Sequence, residues 1–327
     1  MSDNKEKIPI SEWYKMQSTE WWEISSFESA QEQHKKNVES LKQAIEEREK
    51  KDRPLHVVVL HGSGRTPVKS CAHEMSNSQM LLEYGLDNAI KEWKQDGGKE
   101  VTVDTFVLRE LLTSACNNCV ATTSALCNLP CSCHPMDDIT MKIYPAILKA
   151  DVILLSSGIN QSMISSKLKI LLDRLISLDG GYFIEELPTK DVEWKNKMVQ
   201  LSLDQPVYDQ RMFGRVVAYF ISSKDIYNKM DPGVPLEKKW ADLDYETLII
   251  GSLTSQSRDY GWFHADPFYV IAGSDPDVEY SADKSALQSN KKALAQSVKV
   301  VKAALKMGEK HKKFPPKYIG GGRINRT

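Results

Sequence analysis

The stretch Ala150-Asp-Val-Ile-Leu-Leu-Ser-Ser-Gly-Ile-Asn-Gln-Ser-Met-Ile-Ser-Ser-Lys-Leu-Lys-Ile-Leu-Leu-Asp-Arg174 decides the fold. Val152 to Leu155 is short, apolar and partly β-branched, the composition of a strand covered on both faces by helices. Gly158 is expected to break that strand. Ser165 and Ser166 occupy helix-capping positions, and Leu168, Leu171, Leu172, Leu175 and Ile176 follow at spacings that put one apolar stripe on a helix. A strand that stops in a polar turn and restarts as a helix leaves backbone N–H groups pointing outward at the carboxyl edge of a sheet, where open α/β proteins bind their ligands.

The same order occurs earlier, in Leu55-His-Val-Val-Val-Leu-His-Gly-Ser-Gly-Arg65, followed after a polar stretch by Met75-Ser-Asn-Ser-Gln-Met-Leu-Leu. Leu55 to Leu60 reads as the first core strand. Gly62, Ser63, Gly64 and Arg65 supply close backbone approach, a hydroxyl donor and a guanidinium, the groups that receive an anion. Ser76, Asn77 and Ser78 cap a helix whose apolar positions are Met80, Leu81, Tyr84, Ile90 and Trp93. Neither G-x-x-x-x-G-K-[ST] nor G-x-G-x-x-G is present, so the loop suits a single terminal phosphate and not a nucleoside triphosphate or a dinucleotide. A capping loop with a solvated arginine is the alternative reading of the same residues.

Further strands are expected over Val101 to Leu108, Val216 to Ile221 and Phe268 to Ala272. Helices are expected over Asp138 to Lys149, and in a last segment striped by Leu287, Leu294, Val298, Val301 and Leu305. Strands alternating with helices imply a parallel sheet with right-handed crossovers, here a flavodoxin-like five-stranded α/β sheet flanked by helices. Two loop insertions, Gly180 to Met212 and Ser222 to Asp266, are expected to line or cover the site, the second holding Trp240, Trp262 and His264. His264 reads as a packed or capping residue ahead of a proton donor.

The domain organisation follows: residues 1–53 an N-terminal helical extension, 54–308 the sheet domain and 309–327 a basic extended arm with Pro315-Pro316. The extension carries Trp13, Tyr14, Trp21 and Trp22 before a charged helix, Phe27 to Lys51, striped only by Val38, Leu41 and Ala44. Such segments do not order alone, which predicts a homodimer or homotetramer with both arms crossing the interface. With 327 residues, 43 basic and 44 acidic, the chain has room for one large core and no basic excess to favour nucleic acid or an anionic membrane. No eighteen-residue apolar run and no arginine-led apolar leader occur, so a cytoplasmic protein is expected.

Five of the 6 cysteines crowd into Cys116-x2-Cys119-x7-Cys127-x3-Cys131-x-Cys133. Thiolates at such short spacings ligate iron–sulfur clusters or zinc, with Cys116, Cys119, Cys127 and Cys131 as ligand candidates by chain order. A redox disulfide pair and free buried thiols are the alternatives. Cys71 reads as a loop residue without chemistry.

From about Leu55 to Lys306 the chain resembles the flavodoxin-like NADPH-dependent FMN reductase family. That family's phosphate loop is similar to Gly62-Ser63-x-Arg65 with Asn77-Ser78. Its second flavin loop is similar to Ser157-Gly158-Ile159-Asn160, with Ser165-Ser166, Lys169 and Asp173-Arg174 following, and Leu178-Asp179-Gly180-Gly181 beyond. The chain departs from the pattern at Gly158, at Gln161 and in about ten extra residues between Arg65 and Asn77. The resemblance implies FMN as cofactor and NAD(P)H as nicotinamide cosubstrate, with electrons passed to a small-molecule or protein acceptor. It implies that Ser63, Arg65, Asn77 and Ser78 hold the phosphate while the backbone of Ser157, Gly158, Ile159 and Asn160 lies along the flavin ring. Some flavoproteins of this fold carry a compact cysteine motif for a [4Fe–4S] cluster after the second strand, with tighter spacing than here. A flavodoxin-type electron carrier without its own NAD(P)H oxidation, and a flavin-free interaction protein, are the competing readings.

Overall fold

The computed structural model describes residues 27–63, 75–117, 127–160, 163–185, 187, 210–223, 246–272, 287–288 and 290–317. Arg65, Cys71, Cys119, Gln161, Trp240 and the N-terminal tryptophans lie outside them. The apolar runs form strands β1 (Leu55–His61), β2 (Val101–Val107), β4 (Val152–Asn160), β7 (Val216–Ser222) and β8 (Tyr269–Ala272). They pair in parallel in the order β2-β1-β4-β7-β8, the flavodoxin order. Short strands β3 (Asn128–Leu129) and β6 (Tyr182–Phe183) form a separate parallel pair.

Helices cover both faces of the sheet. Alternate residues of β1 divide between two cores: Val58 and Leu60 face one, and Leu55, Val57 and Val59 face the other. The first core is closed by α1 (Phe27–Glu49), α3 (Tyr144–Lys149), α4 (Ser166–Arg174), α5 (Ile176–Gly180) and α6 (Gly251–Asp259); the second by α2 (Asn77–Gln95) and α7 (Lys291–Lys313). The stretch Ile139–Ile143, read as plain α-helix, is a π-helical turn that runs into α3.

Three departures from the sequence expectation have physical causes. Gly158 does not end β4. Its backbone pairs with Ser222 of β7, and the strand runs on to Asn160 before turning back as β5 (Met163–Ile164) in an antiparallel hairpin. The narrow stripe of α1 is packed within its own chain, where Leu41 and Ala44 join the first core. Asn37 Nδ2 of α1 donates to Pro135 O at 2.8 Å and His34 Nε2 to Ile184 O at 3.2 Å, so this helix is tied to its own sheet domain. Trp262, expected in a covering loop, is 4% exposed in the core against the Tyr260 ring.

Polar groups fix the amino edge of the sheet. Asp151 is 4% exposed; it takes the guanidinium of Arg53 on both oxygens and accepts from His56 N at 2.9 Å. Its own N–H donates to His56 O at 2.8 Å, so the starts of β1 and β4 are stitched together beside the end of α1. Among the described residues the buried Arg215 has no carboxylate in ion-pair contact; it donates to Ile147 O and Leu148 O, both at 2.7 Å, and so closes the last turn of α3.

Helices α2 and α7 touch through Gly85. A Cβ there would lie 2.9 Å from the backbone of Ser297. Gly85→Ala is therefore expected to lower stability by about 1–3 kcal/mol through overpacking, read as a fall in the urea midpoint at unchanged slope. An unaltered midpoint would show that the two helices are not in this contact.

Candidate functional site

The two loops singled out by the sequence meet at the carboxyl edge of β1 and β4. Gly62 N donates to Ser156 O at 2.8 Å, which continues the β1–β4 pairing one residue past the strand. The Ser165 hydroxyl donates to Gly62 O and accepts from Leu168 N at 3.4 Å, so one side chain caps α4 and ties it to the first loop. Gly62 has to be glycine: a Cβ would lie 2.6 Å from Leu168 Cβ and 3.1 Å from Ser156 O. Ser157 Oγ accepts from Ser165 N at 2.9 Å and donates to Gly158 O at 2.8 Å, which leaves that hydroxyl committed to the hairpin.

Above this floor the phosphate candidates come from two elements. Ser63 ends the described part of the first loop and is 9% exposed. Asn77 and Ser78 open α2, whose N-cap is Ser76, accepting from Gln79 N at 3.2 Å. Ser78 Oγ pairs with Ser76 Oγ at 3.2 Å. The α2 N-terminus, with its amide donors and partial positive charge, stands at the sheet edge beside these hydroxyls, a donor set that fits a phosphate monoester. Ile159 is half-buried and Asn160 exposed at the end of β4, past the β7 pairing, where they pair with Ile164 and Met163 of β5. Arg65 lies outside the described residues.

Sequence reasoning missed His61 and Ser156. They are wholly buried side by side at the ends of β1 and β4 and form a hydrogen-bonded pair, His61 Nδ1 to Ser156 Oγ at 2.8 Å. Among the described residues the buried His61 Nε2 has no hydrogen-bond partner, and it lies 3.7 Å from Glu83 Oε1. Burial pushes the His61 imidazole down to about 4. A histidine directly before Gly62 was the available signal. His264, by contrast, joins Tyr219 OH at 3.0 Å inside an aromatic group with Phe268, as a packed residue does.

The helix α4 carries the remaining motif residues away from the edge. Lys169 and Asp173 pair with each other on its exposed face. Arg174 is 1% exposed and bound to Asp137, with Nη1 to Oδ2 at 2.6 Å, and to Ser114 O at 2.9 Å and Thr140 Oγ1 at 2.8 Å. At this end of α4 lie the cysteines: Cys116, Cys127, Cys131 and Cys133 are free thiols around a cavity of about 10 Å³, and Cys119 is outside the described residues. That space holds about one water, far less than a [4Fe–4S] cube. Among the described residues no three Cys, His, Asp or Glu side chains are grouped to hold a metal ion. The described thiols thus do not fit a cluster.

The fold and this edge define a flavodoxin-like α/β protein with a phosphate-receiving loop pair. Through residues 55–202 the chain matches the sequence model of the family described as NADPH-dependent FMN reductase. It is an NAD(P)H-dependent FMN oxidoreductase. No curated protein sequence matches the chain. Among solved structures, RosB with a bound formylriboflavin phosphate intermediate is 9% identical, with TM-score 0.51 over 80% of this chain and 82% of that one, which shows the shared fold. An apo NADH:FMN oxidoreductase (EMOB) is 11% identical, with TM-score 0.42 over 77% of this chain and 88% of that one. An FMN-dependent NADH-azoreductase from Bacillus anthracis str. Ames Ancestor is 14% identical, with TM-score 0.40 over 77% and 98%.

Both His61 and His34 are wholly buried and held down to about 4, whereas in the unfolded chain they titrate near 6.5. Between those values the unfolded state takes up protons that the folded state refuses, so stability falls as pH drops from 6.5 towards 4. The expected slope is at most about 1.4 kcal/mol per pH unit for each histidine. Urea melts at pH 7 and pH 5 read it. His61→Gln is expected to flatten the dependence, and an equal dependence in that variant would place the His61 proton elsewhere.

Proposed function

We propose that the carboxyl edge of β1 and β4 is the FMN site of this oxidoreductase, with the phosphate held by Ser63, Arg65, Asn77 and Ser78 and the ring set against the backbone of Ser157, Gly158, Ile159 and Asn160. The observation that carries the reading is that the family match over residues 55–202 spans both loops, and the described parts of those loops meet at one edge through Ser165 and Gly62. FMN, when bound, supplies two-electron transfer between the nicotinamide and an acceptor. The chain's part is to hold and shield it. The α2 N-terminus and the hydroxyls beside it neutralise the phosphate, and the β4–β5 hairpin offers backbone donors and acceptors in a geometry pinned by Ser157.

The acceptor is a small molecule or a protein that approaches the hairpin, where Met163 is 50% exposed beside the proposed ring position. A homodimer or homotetramer belongs to the proposal, with that apolar surface covered by a second copy. The free thiols Cys116, Cys127, Cys131 and Cys133 suit a reducing compartment such as the cytoplasm. No helix among the described residues is long and apolar enough to cross a membrane.

Chromatography of the released cofactor is expected to give FMN and no FAD, and the holoprotein is expected to oxidise NADPH or NADH. Arg65→Ala should weaken FMN binding by about 1.5–3 kcal/mol, the scale of a charge-assisted hydrogen bond. A colourless protein that takes up no added FMN would end the reading. An unchanged dissociation constant in the variant would move Arg65 out of the phosphate site.

A further inference from the structure

Cys131 and Cys133, separated by one residue, interact through their side chains beside one cavity. They are 7% and 3% exposed and line the 10 Å³ cavity, with Cys116 the half-exposed member at its side. The buried Arg174 lines the same cavity, and its guanidinium cannot lose its proton. A fixed positive charge beside a thiol favours the thiolate, the nucleophilic form. His134 supplies a further polar atom. It is 5% exposed, lines the cavity and takes a hydrogen bond with backbone Ala115, and its buried Nε2 has no hydrogen-bond partner among the described residues. The cavity therefore joins a nucleophile, a second thiol, a fixed cation and an open nitrogen, in a space that admits only a very small molecule.

We propose that Cys131 and Cys133 form a redox-active dithiol that hydrogen peroxide, entering this cavity, oxidises to an intrachain disulfide. The Cys131 thiolate attacks one peroxide oxygen: a sulfur–oxygen bond forms, the oxygen–oxygen bond breaks, and the departing hydroxide takes a proton to become water. The Cys133 thiol then attacks the sulfenic sulfur: the sulfur–sulfur bond forms, the sulfur–oxygen bond breaks, and the hydroxyl leaves with the Cys133 proton as a second water. Two electrons pass from the two sulfurs to the peroxide, and two waters are formed. His134 Nε2 is placed to hydrogen-bond the peroxide. Bulky disulfides cannot reach thiols this buried. The proposed flavin edge is also out of contact, because the nine residues of α4 set Arg174 about 13 Å along the helix from the Ser165 end. The inference thus stands apart from the flavin reading.

The test uses the full-length holoprotein, reduced, desalted and exposed to stoichiometric hydrogen peroxide. Remaining thiols are alkylated without reduction, and the tryptic peptide spanning residues 110–142, which carries all five clustered cysteines, is fragmented in the mass spectrometer. The expected product has lost two hydrogens within residues 131–133 and regains them with dithiothreitol. Cys116 and Cys127 stay alkylated, and Cys131 reacts at least about tenfold faster than Cys127. In Cys133→Ser, which retains a hydroxyl donor, the reaction should stop at a Cys131 sulfenic acid that dimedone traps. A disulfide from Cys131 to Cys116 or Cys127, or oxidation confined to Cys116 with Cys131 and Cys133 still alkylated, would overturn the proposal. So would metal analysis that finds one zinc or iron per chain released only when Cys131 is modified. If the variant does not fold, the wild-type map alone decides.

Discussion

One hydroxyl holds the proposed binding edge together. Ser165 lies at the junction of the β4–β5 hairpin and α4, and by donating to Gly62 O it binds the second loop to the first. The contact is possible only because Gly62 has no side chain, since any Cβ would occupy the space of Leu168 and of the Ser165 oxygen. The apolar strands beneath fix where both loops end, but a parallel sheet sets its strand ends only to within the freedom of the turns that follow. Ser165, Ser157 and the Gly62–Ser156 backbone bond remove that freedom. The cost of ordering the loops is met in the folded protein, so a ligand arriving at the edge has less to organise.

The fold was legible where burial on both sides forces a continuous apolar run. Leu55–Leu60 (polar only at His56), Val152–Leu155 and Val216–Ile221 are near-continuous apolar runs, and each lies in its expected strand. Strand ends were less legible. Ser157-Gly158-Ile159-Asn160 reads as a turn because Ser157, Gly158 and Asn160 are small or polar, yet backbone pairing to Ser222 and to β5 makes it strand. Pairing of this kind depends on a partner far away in sequence, which local composition does not report. Trp262 shows the same limit from the other side: an aromatic in a polar, loop-like segment is as compatible with a lid as with the core, and its burial against the Tyr260 ring decides.

The site divides in the same way. Glycine, serine and asparagine in capping positions announced the two loops, because those residue types are demanded by the backbone itself. His61 with Ser156 was hidden: a histidine at a strand end has no characteristic spacing, and its partner is 95 residues away. The cysteine run was visible as a density of thiols, but its chemistry was not. What the thiols do depends on Arg174 and His134. Arg174 comes from the end of α4 and is placed there by its bond to Asp137 and by the Tyr144 hydroxyl donating to its carbonyl. Spacing alone suggested a metal centre; the cavity volume and the cation beside it argue for sulfur chemistry instead.

Helix α4 is therefore the element that gives the molecule two separate chemical places. Its first turn is capped at the sheet edge by Ser165, and its last residue projects a guanidinium into the thiol cavity. The cation at the far end is no accident of composition. A basic group is favoured at a helix C-terminus, and a buried arginine needs a carboxylate, which Asp137 provides. Once that pair is in place, the field at Cys131 follows from it without further design. α1 packs beside the same region, bonding through Asn37 to Pro135, just after the cysteine segment, and through His34 to Ile184. The N-terminal helix thus has a local purpose in this chain: it seals the cysteine segment against the core. That accounts for a charged helix with a narrow apolar stripe, since it needs to bury only the one face it presents to α3 and the thiol loop.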